Sequence, residues 1–247
     1  MIGYDQEGSD KMADLRNLND SNPGFKRDVM RRISGVVAFI IITALILFVA
    51  AGTIRWYYAW LYLAATVLSV IINAIFMPTD LIAERGRKQE NVEKWDPILS
   101  RLLTVPWVLS FLIAGLDVRW GWSPLLSAGW HWGGLVFYLL GNFLVLWAMT
   151  VNHFFSTAVR LQFERGQTVC SEGPYRYVRH PGYVGMIVFN LATPIALGSL
   201  WALVPTLLTV ALFAVRTRLE DQTLLKKLPG YQQYAALTKY RLIPGLW

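Results

Sequence analysis

The eleven residues from Gly173 to Tyr183 read GPYRYVRHPGY and set two arginines, one histidine and three tyrosines among prolines that restrict the backbone. Guanidinium groups hold anions through charge-assisted hydrogen bonds, and tyrosine rings attract cations. Farther along, RTRLED supplies Arg216 and Glu220 at i, i+4, hence on one helix face, with Asp221 turned away by about 100°. Such a constellation is either the wall of a binding site or a basic anchor at a membrane surface.

The plainer account covers much of it one residue at a time. Arg160, Arg165, Arg176 and Arg179 flank apolar segments, where arginines anchor a chain at the interface, and Tyr and Trp form interfacial belts. Arg216 and Glu220 also fit an exposed pair contributing under about 1 kcal/mol. The dipeptide His180–Pro181 fits a helix start, because proline suits the first turn. His131 reads as interfacial and His153 as a local polar contact; the three scattered histidines have no recognised metal spacing. The density of fixed turns, rings and charges taken together favours a site.

The elements that must position these groups are membrane helices. The chain is 55% hydrophobic and only 16% charged, against about 25% charged in a typical soluble domain. Apolar runs of spanning length occur at Ile33–Ile54, Ala59–Met77, Ile98–Leu116 and Trp132–Val151. The run from Tyr183 to Val215 is too long for one helix, and LGSL near its middle marks a turn, which predicts a hairpin of a fifth and a sixth helix. The fold class is therefore an all-α integral membrane protein of about six transmembrane helices. With the N-terminus inside, only Arg55 and Arg119 of the 23 basic residues fall in outer loops. That bias predicts a multi-pass cell-membrane protein with both termini and the polar motifs at the cytoplasmic face. The net charge of +7 follows from this anchoring and predicts no nucleic-acid partner. The polar, acidic start of the chain does not read as a cleaved signal peptide. A single cysteine, Cys170, precludes an internal disulfide.

Several chemistries are excluded by missing patterns. The chain has no G-x-x-x-x-G-K-[ST] loop, G-x-G-x-x-G turn, G-x-S-x-G elbow or H-E-x-x-H helix. Its spans hold almost no ionisable residues and show no internal repeat, which argues against a proton relay or a transporter.

From Asn152 to Trp247 the order and spacing of GPYRYVRHPGY, a hairpin, RTRLED, GYQQY and YRLIPG resemble the isoprenylcysteine carboxyl methyltransferase family of integral membrane methyltransferases. Composition and hydropathy give a flexible polar tail over 1–30 and N-terminal transmembrane helices over 31–151, and the resemblance implies a methyltransferase-like region over 152–247. It implies S-adenosylmethionine as donor, held in a cytoplasmic-face pocket without a Rossmann domain. Carried over motif by motif, the cofactor-binding residues are Gln162, Gln167, Thr168, Val169, Cys170, Tyr175, His180, Pro181, Gly182, Tyr183 and Glu220. Arg216 matches the arginine facing the acceptor, and Arg216 and Glu220 form the catalytic pair. Gln167 replaces a histidine of some relatives, and Asp221 stands where a second glutamate is common.

The chemistry agrees with this assignment. His180 and turn amides suit the donor's carboxylate, Glu220 a positive group, and the rings of Tyr175 and Tyr183 a cation. A carboxylate acceptor arrives ionised and needs no general base, which favours a lipophilic, isoprenoid or lipid-like acid drawn from the bilayer. Phospholipid N-methylation stays open within the same class. Two other classes compete: a sterol-reductase-like enzyme using a reduced nicotinamide cofactor, because such C-terminal ends resemble YRLIPG, and a non-catalytic scaffold whose basic face binds anionic lipid.

Overall fold

Long apolar stretches with no ladder partner satisfy their backbone internally, and the computed structural model is accordingly helical, with no strand among the described residues. The structure describes residues 23–77, 79–87 and 89–247. Among the described residues four helices are long and apolar enough to cross a membrane: α1 (Pro23–Ala51), α2 (Tyr57–Phe76), α4 (Asp96–Trp120) and α5 (Ala128–Val151). A short α3 (Thr79–Gly86) lies between the second and third of these. After the polar loop come α6 (Pro181–Leu197), α7 (Leu203–Lys227) and α8 (Tyr231–Leu237).

α1 begins at Pro23, inside the stretch read as a polar tail, because its basic first turns are good helix formers and proline is tolerated at a first turn. Residues 1–22 of that tail lie outside the described residues. The turn expected at LGSL is present: α6 stops at Leu197, Gly198 takes the left-handed conformation (φ 83°), and α7 starts at Leu203 and packs back on α6. At 17 residues α6 is shorter than the other apolar helices, about 25 Å against a hydrocarbon core of about 30 Å. Only the first half of α7 is apolar; from Arg216 it continues as a charged helix.

The core lies where α1, α2, α4, α5 and α6 meet, around Leu47, Tyr62, Phe111, Tyr138 and Ala196. Outward faces stay apolar and exposed, as at Ile41, Leu45 and Val49 on α1, which suits hydrocarbon surroundings. The most extensive helix pair is α5 with α6. Glycines let their backbones touch: a Cβ on Gly141 would come within 2.7 Å of the Gly185 carbonyl oxygen, and one on Gly185 within 2.6 Å of the Gly141 carbonyl oxygen. This crossing fixes the N-terminal end of α6, where the motif lies.

Candidate active site

The motif is built as a tight turn followed by a helix start. Gly173–Arg176 forms one 3-10 turn, and Pro181 occupies the first turn of α6 directly after His180. Its backbone is completed from far along the chain. The Arg179 amide donates to the Tyr240 carbonyl (2.9 Å) and the His180 amide to the Arg241 carbonyl (3.0 Å). This pairing explains why YRLIPG accompanies the motif.

Asp221 joins these parts. Its carboxylate, 0% exposed, accepts both ends of the Arg179 fork (2.8 and 2.9 Å), Arg241 Nε (2.7 Å) and the Tyr231 hydroxyl (3.0 Å). His180 Nε2 lies 3.2 Å from the same carboxylate. Arg179 Nη1 also donates to the carbonyls of Thr238 and Lys239. Burial alone would raise the Asp221 carboxyl, but the hydrogen bonds from His180, Arg179 and Arg241 hold it well below the usual carboxylate range. Asp221 is thus the residue that fastens the C-terminal segment to the motif, while Glu220, about 100° round the helix, lines a cavity.

That cavity, about 220 Å³, lies between the polar loop, the start of α6 and the charged half of α7. It is lined by Gln167, Thr168, Val169, Cys170 and Tyr175 from the loop, by His180, Gly182 and Tyr183, and by Arg216 and Glu220. These ten are the lining residues that the sequence marks as candidates for cofactor or acceptor contact. Two others fall outside the lining. Gln162, 1% exposed, spends its side chain on the Phe154 carbonyl (2.7 Å) and on Arg165 (2.6 Å), so it shapes the loop from behind. Pro181 is buried in the first turn of α6.

The charges in the cavity wall are unequally matched. Arg160 pairs with Glu84 (2.6 Å) and Glu164 (2.5 Å), and Arg179 pairs with Asp221. Arg216 pairs not with Glu220, four residues on, but with buried Asp96 at the start of α4 (2.8 Å), and it also donates to the Thr157 carbonyl (3.0 Å). Its guanidinium carbon stands 5.8 Å from the Tyr183 ring centre. Asp96 in turn accepts the Val159 amide (3.0 Å). Among the described residues Glu220 has no ion-pair partner; its carboxylate accepts only the Tyr183 hydroxyl, at 2.6 Å. Aromatic groups supply the rest of the wall: Tyr175, Tyr231 and Tyr234 pack together, with the Tyr234 hydroxyl donating to the Tyr175 carbonyl (2.7 Å). Burial pushes the Cys170 thiol up, so it remains a neutral wall group.

Arg160 and Arg179 are therefore buried structural groups and not interfacial anchors, whereas Arg176 is exposed. Sequence reasoning missed the contribution of residues 79–97, to which it assigned no part in the site. That segment delivers Glu84, Arg85, Gln89 and Asp96 to the site, and its backbone bridges the loop where the Glu93 amide donates to the Val159 carbonyl (2.9 Å). Its acidic residues were the available signal, although the partners lie 76 and 120 residues away.

Residues 134–226 match the model of the isoprenylcysteine carboxyl methyltransferase (ICMT) family. Two rice proteins, from Oryza sativa subsp. indica and subsp. japonica, each called a probable protein-S-isoprenylcysteine O-methyltransferase, are 26% identical over 148 residues, 56% of this chain and 70% of theirs. A solved structure of the eukaryotic intramembrane Ras methyltransferase ICMT aligns with a TM-score of 0.42 at 16% identity, over 91% of this chain and 97% of that one. The resemblance carried by the motifs is borne out: residues 134–226, the stretch similar to the ICMT family, build most of the cavity wall.

Proposed function

We propose that the protein is a multi-pass membrane enzyme that transfers a methyl group from S-adenosylmethionine to the carboxylate of a lipophilic acceptor. In this reading α6 and α7 complete six spans, the cavity opens at the cytoplasmic face and the acceptor arrives sideways from the bilayer. The names of the rice relatives support an isoprenylated cysteine, or an acid like it, as acceptor.

The observation that carries the reading is the unmatched carboxylate of Glu220. A negative charge in a cavity wall with no ion-pair partner among the described residues supports a cationic ligand, which a sulfonium donor with an ammonium group is and a phosphate-bearing nicotinamide cofactor is not. The faces of Tyr175 and Tyr183 beside it suit the same charge. The donor supplies a methyl carbon that passes to the acceptor oxygen while the C–S electron pair stays on sulfur. The chain's own residues bind and align: Glu220 is held at the cavity by the Tyr183 hydroxyl, Arg216 is oriented by Asp96 and Thr157, and the loop from Gln167 to Cys170 closes the wall. Alignment alone lowers a barrier by about 7–11 kcal/mol in well-oriented systems.

Calorimetric titration of S-adenosylhomocysteine into detergent-purified protein tests this. Micromolar binding is expected for the wild type, and Glu220→Gln should weaken it by roughly 10- to 100-fold, the worth of one charge-assisted bond. Folded wild-type protein that ignores S-adenosylhomocysteine but binds a reduced nicotinamide cofactor would overturn the reading.

A further inference from the structure

The cavity wall also holds an unmatched cation, Arg85 near the end of α3. Among the described residues its Nη1 reaches only the Met149 sulfur (3.1 Å) and its buried Nε has no hydrogen-bond partner, while its guanidinium carbon stands 5.7 Å from the centre of the Phe155 ring. No carboxylate among the described residues pairs with it, whereas the other three arginines of the wall each have one. The charge that acts on it is Arg32, another cation. Burial first, and then Arg32, push the guanidinium down to about 10, which leaves it charged at neutral pH. A desolvated charge without counter-ion is costly, and a bound anion would relieve that cost.

The place of Arg85 says which anion. Two apolar clusters meet at Phe155. One contains Tyr175, Tyr231 and Tyr234 with Val169 and Cys170, the side to which the motifs assign the donor. The other contains Leu81, Val145 and Met149 with Met186, and Arg85 sits against Met149 and Phe155 on that side. A cation bordered by aliphatic and thioether groups fits a ligand with a charged head and a greasy body.

We propose that Arg85 binds the carboxylate of the lipophilic acceptor, so that the cavity presents Glu220 to the cationic donor and Arg85 to the anionic acceptor. This rests on the methyltransferase reading. It also implies that methylation, by neutralising the acceptor, removes the group Arg85 holds and favours release of the ester.

Equilibrium binding of N-acetyl-S-farnesyl-L-cysteine and of its methyl ester, without donor, tests the assignment, with S-adenosylhomocysteine titrated in parallel. Wild type should bind the acid at least about tenfold more tightly than the ester. Arg85→Met should lose that preference and keep its affinity for S-adenosylhomocysteine; Arg85→Lys should keep part of the preference. Equal binding of acid and ester by the wild type, which needs no variant to fold, overturns the proposal. So does an undiminished preference in folded Arg85→Met, or a loss confined to S-adenosylhomocysteine, which would assign Arg85 to the donor's carboxylate. Folded wild type that binds no S-adenosylhomocysteine brings down the methyltransferase reading alone, since the acid–ester comparison still decides the role of Arg85.

Discussion

Replacing Asp221 by asparagine keeps the shape of the side chain and removes its charge. The two carboxylate oxygens serve Arg179, Arg241, Tyr231 and His180. An amide offers one acceptor oxygen and turns an NH2 group toward a guanidinium, so at least one arginine faces another donor. Arg179, 7% exposed, cannot recover its hydration, and breaking a buried pair from one side costs about 3–5 kcal/mol. Arg241 is 28% exposed at its side chain and regains water, which places the cost near the lower end, about 3 kcal/mol. That is a large part of the roughly 5–15 kcal/mol that stabilises a typical domain, and it falls on the docking of residues 238–247 against the motif. Opening of that segment should become roughly 100-fold more frequent. Hydrogen exchange reads this directly, because the Arg179 and His180 amides are protected by the Tyr240 and Arg241 carbonyls. A loss of protection of about that size is expected in a peptide covering residues 177–180, together with weaker S-adenosylhomocysteine binding. Protection within about threefold of wild type would refute the claim that Asp221 fastens the segment.

Three further outcomes follow from the same geometry. Asp221 has a lowered carboxyl value, so its stabilisation is fully present above the unfolded value near 3.8 and declines as pH falls below it; thermal unfolding scans should show acid sensitivity from this group only below about pH 4. Gly141→Val sets new atoms against the Gly185 carbonyl and the Phe189 amide, both within 2.7 Å of a Cβ, and should cost about 1–3 kcal/mol and loosen donor binding. Gly133→Ala, where a Cβ meets nothing within 4 Å, should leave both unchanged in the same unfolding and titration assays. Asp96→Asn strands Arg216 and should destabilise by about 3 kcal/mol, whereas Asp96→Leu with Arg216→Met should restore most of it in a double-mutant cycle, since replacing both members of a buried pair by apolar groups is often neutral.

What could be read from the sequence divides along a physical line. Hydropathy found α2, α4 and α5 because burial in hydrocarbon is a local property of a stretch, and Gly198 revealed the hairpin because only a special backbone angle ends a helix so sharply. Hydropathy also placed the start of α1 too late, since charge masks a helix whose first turns are basic. Helical periodicity separated Glu220 from Asp221 correctly but was silent on what covers the buried face. The partners of Asp96, Glu84 and Asp221 lie 120, 76 and 42 residues away, and no spacing rule reaches that far. For the same reason nothing in the sequence singled out Arg85. The plain reading of His180–Pro181 as a helix start and the reading of the motif as a cavity wall are both correct, because one turn performs both tasks.

The dependence of the motif on carbonyls some sixty residues later sets a schedule for biosynthesis. At about 5–20 residues per second, roughly 3–12 s separate the making of Arg179 and His180 from that of Tyr240 and Arg241. Through that interval the amides of the motif must stay with water or lipid headgroups, because burying them unpaired costs about 1–3 kcal/mol each. The spans can already be threaded into the membrane while the catalytic face is still open, so the cavity takes shape last. A chain released before residue 241 would be inserted and yet unable to complete its cavity.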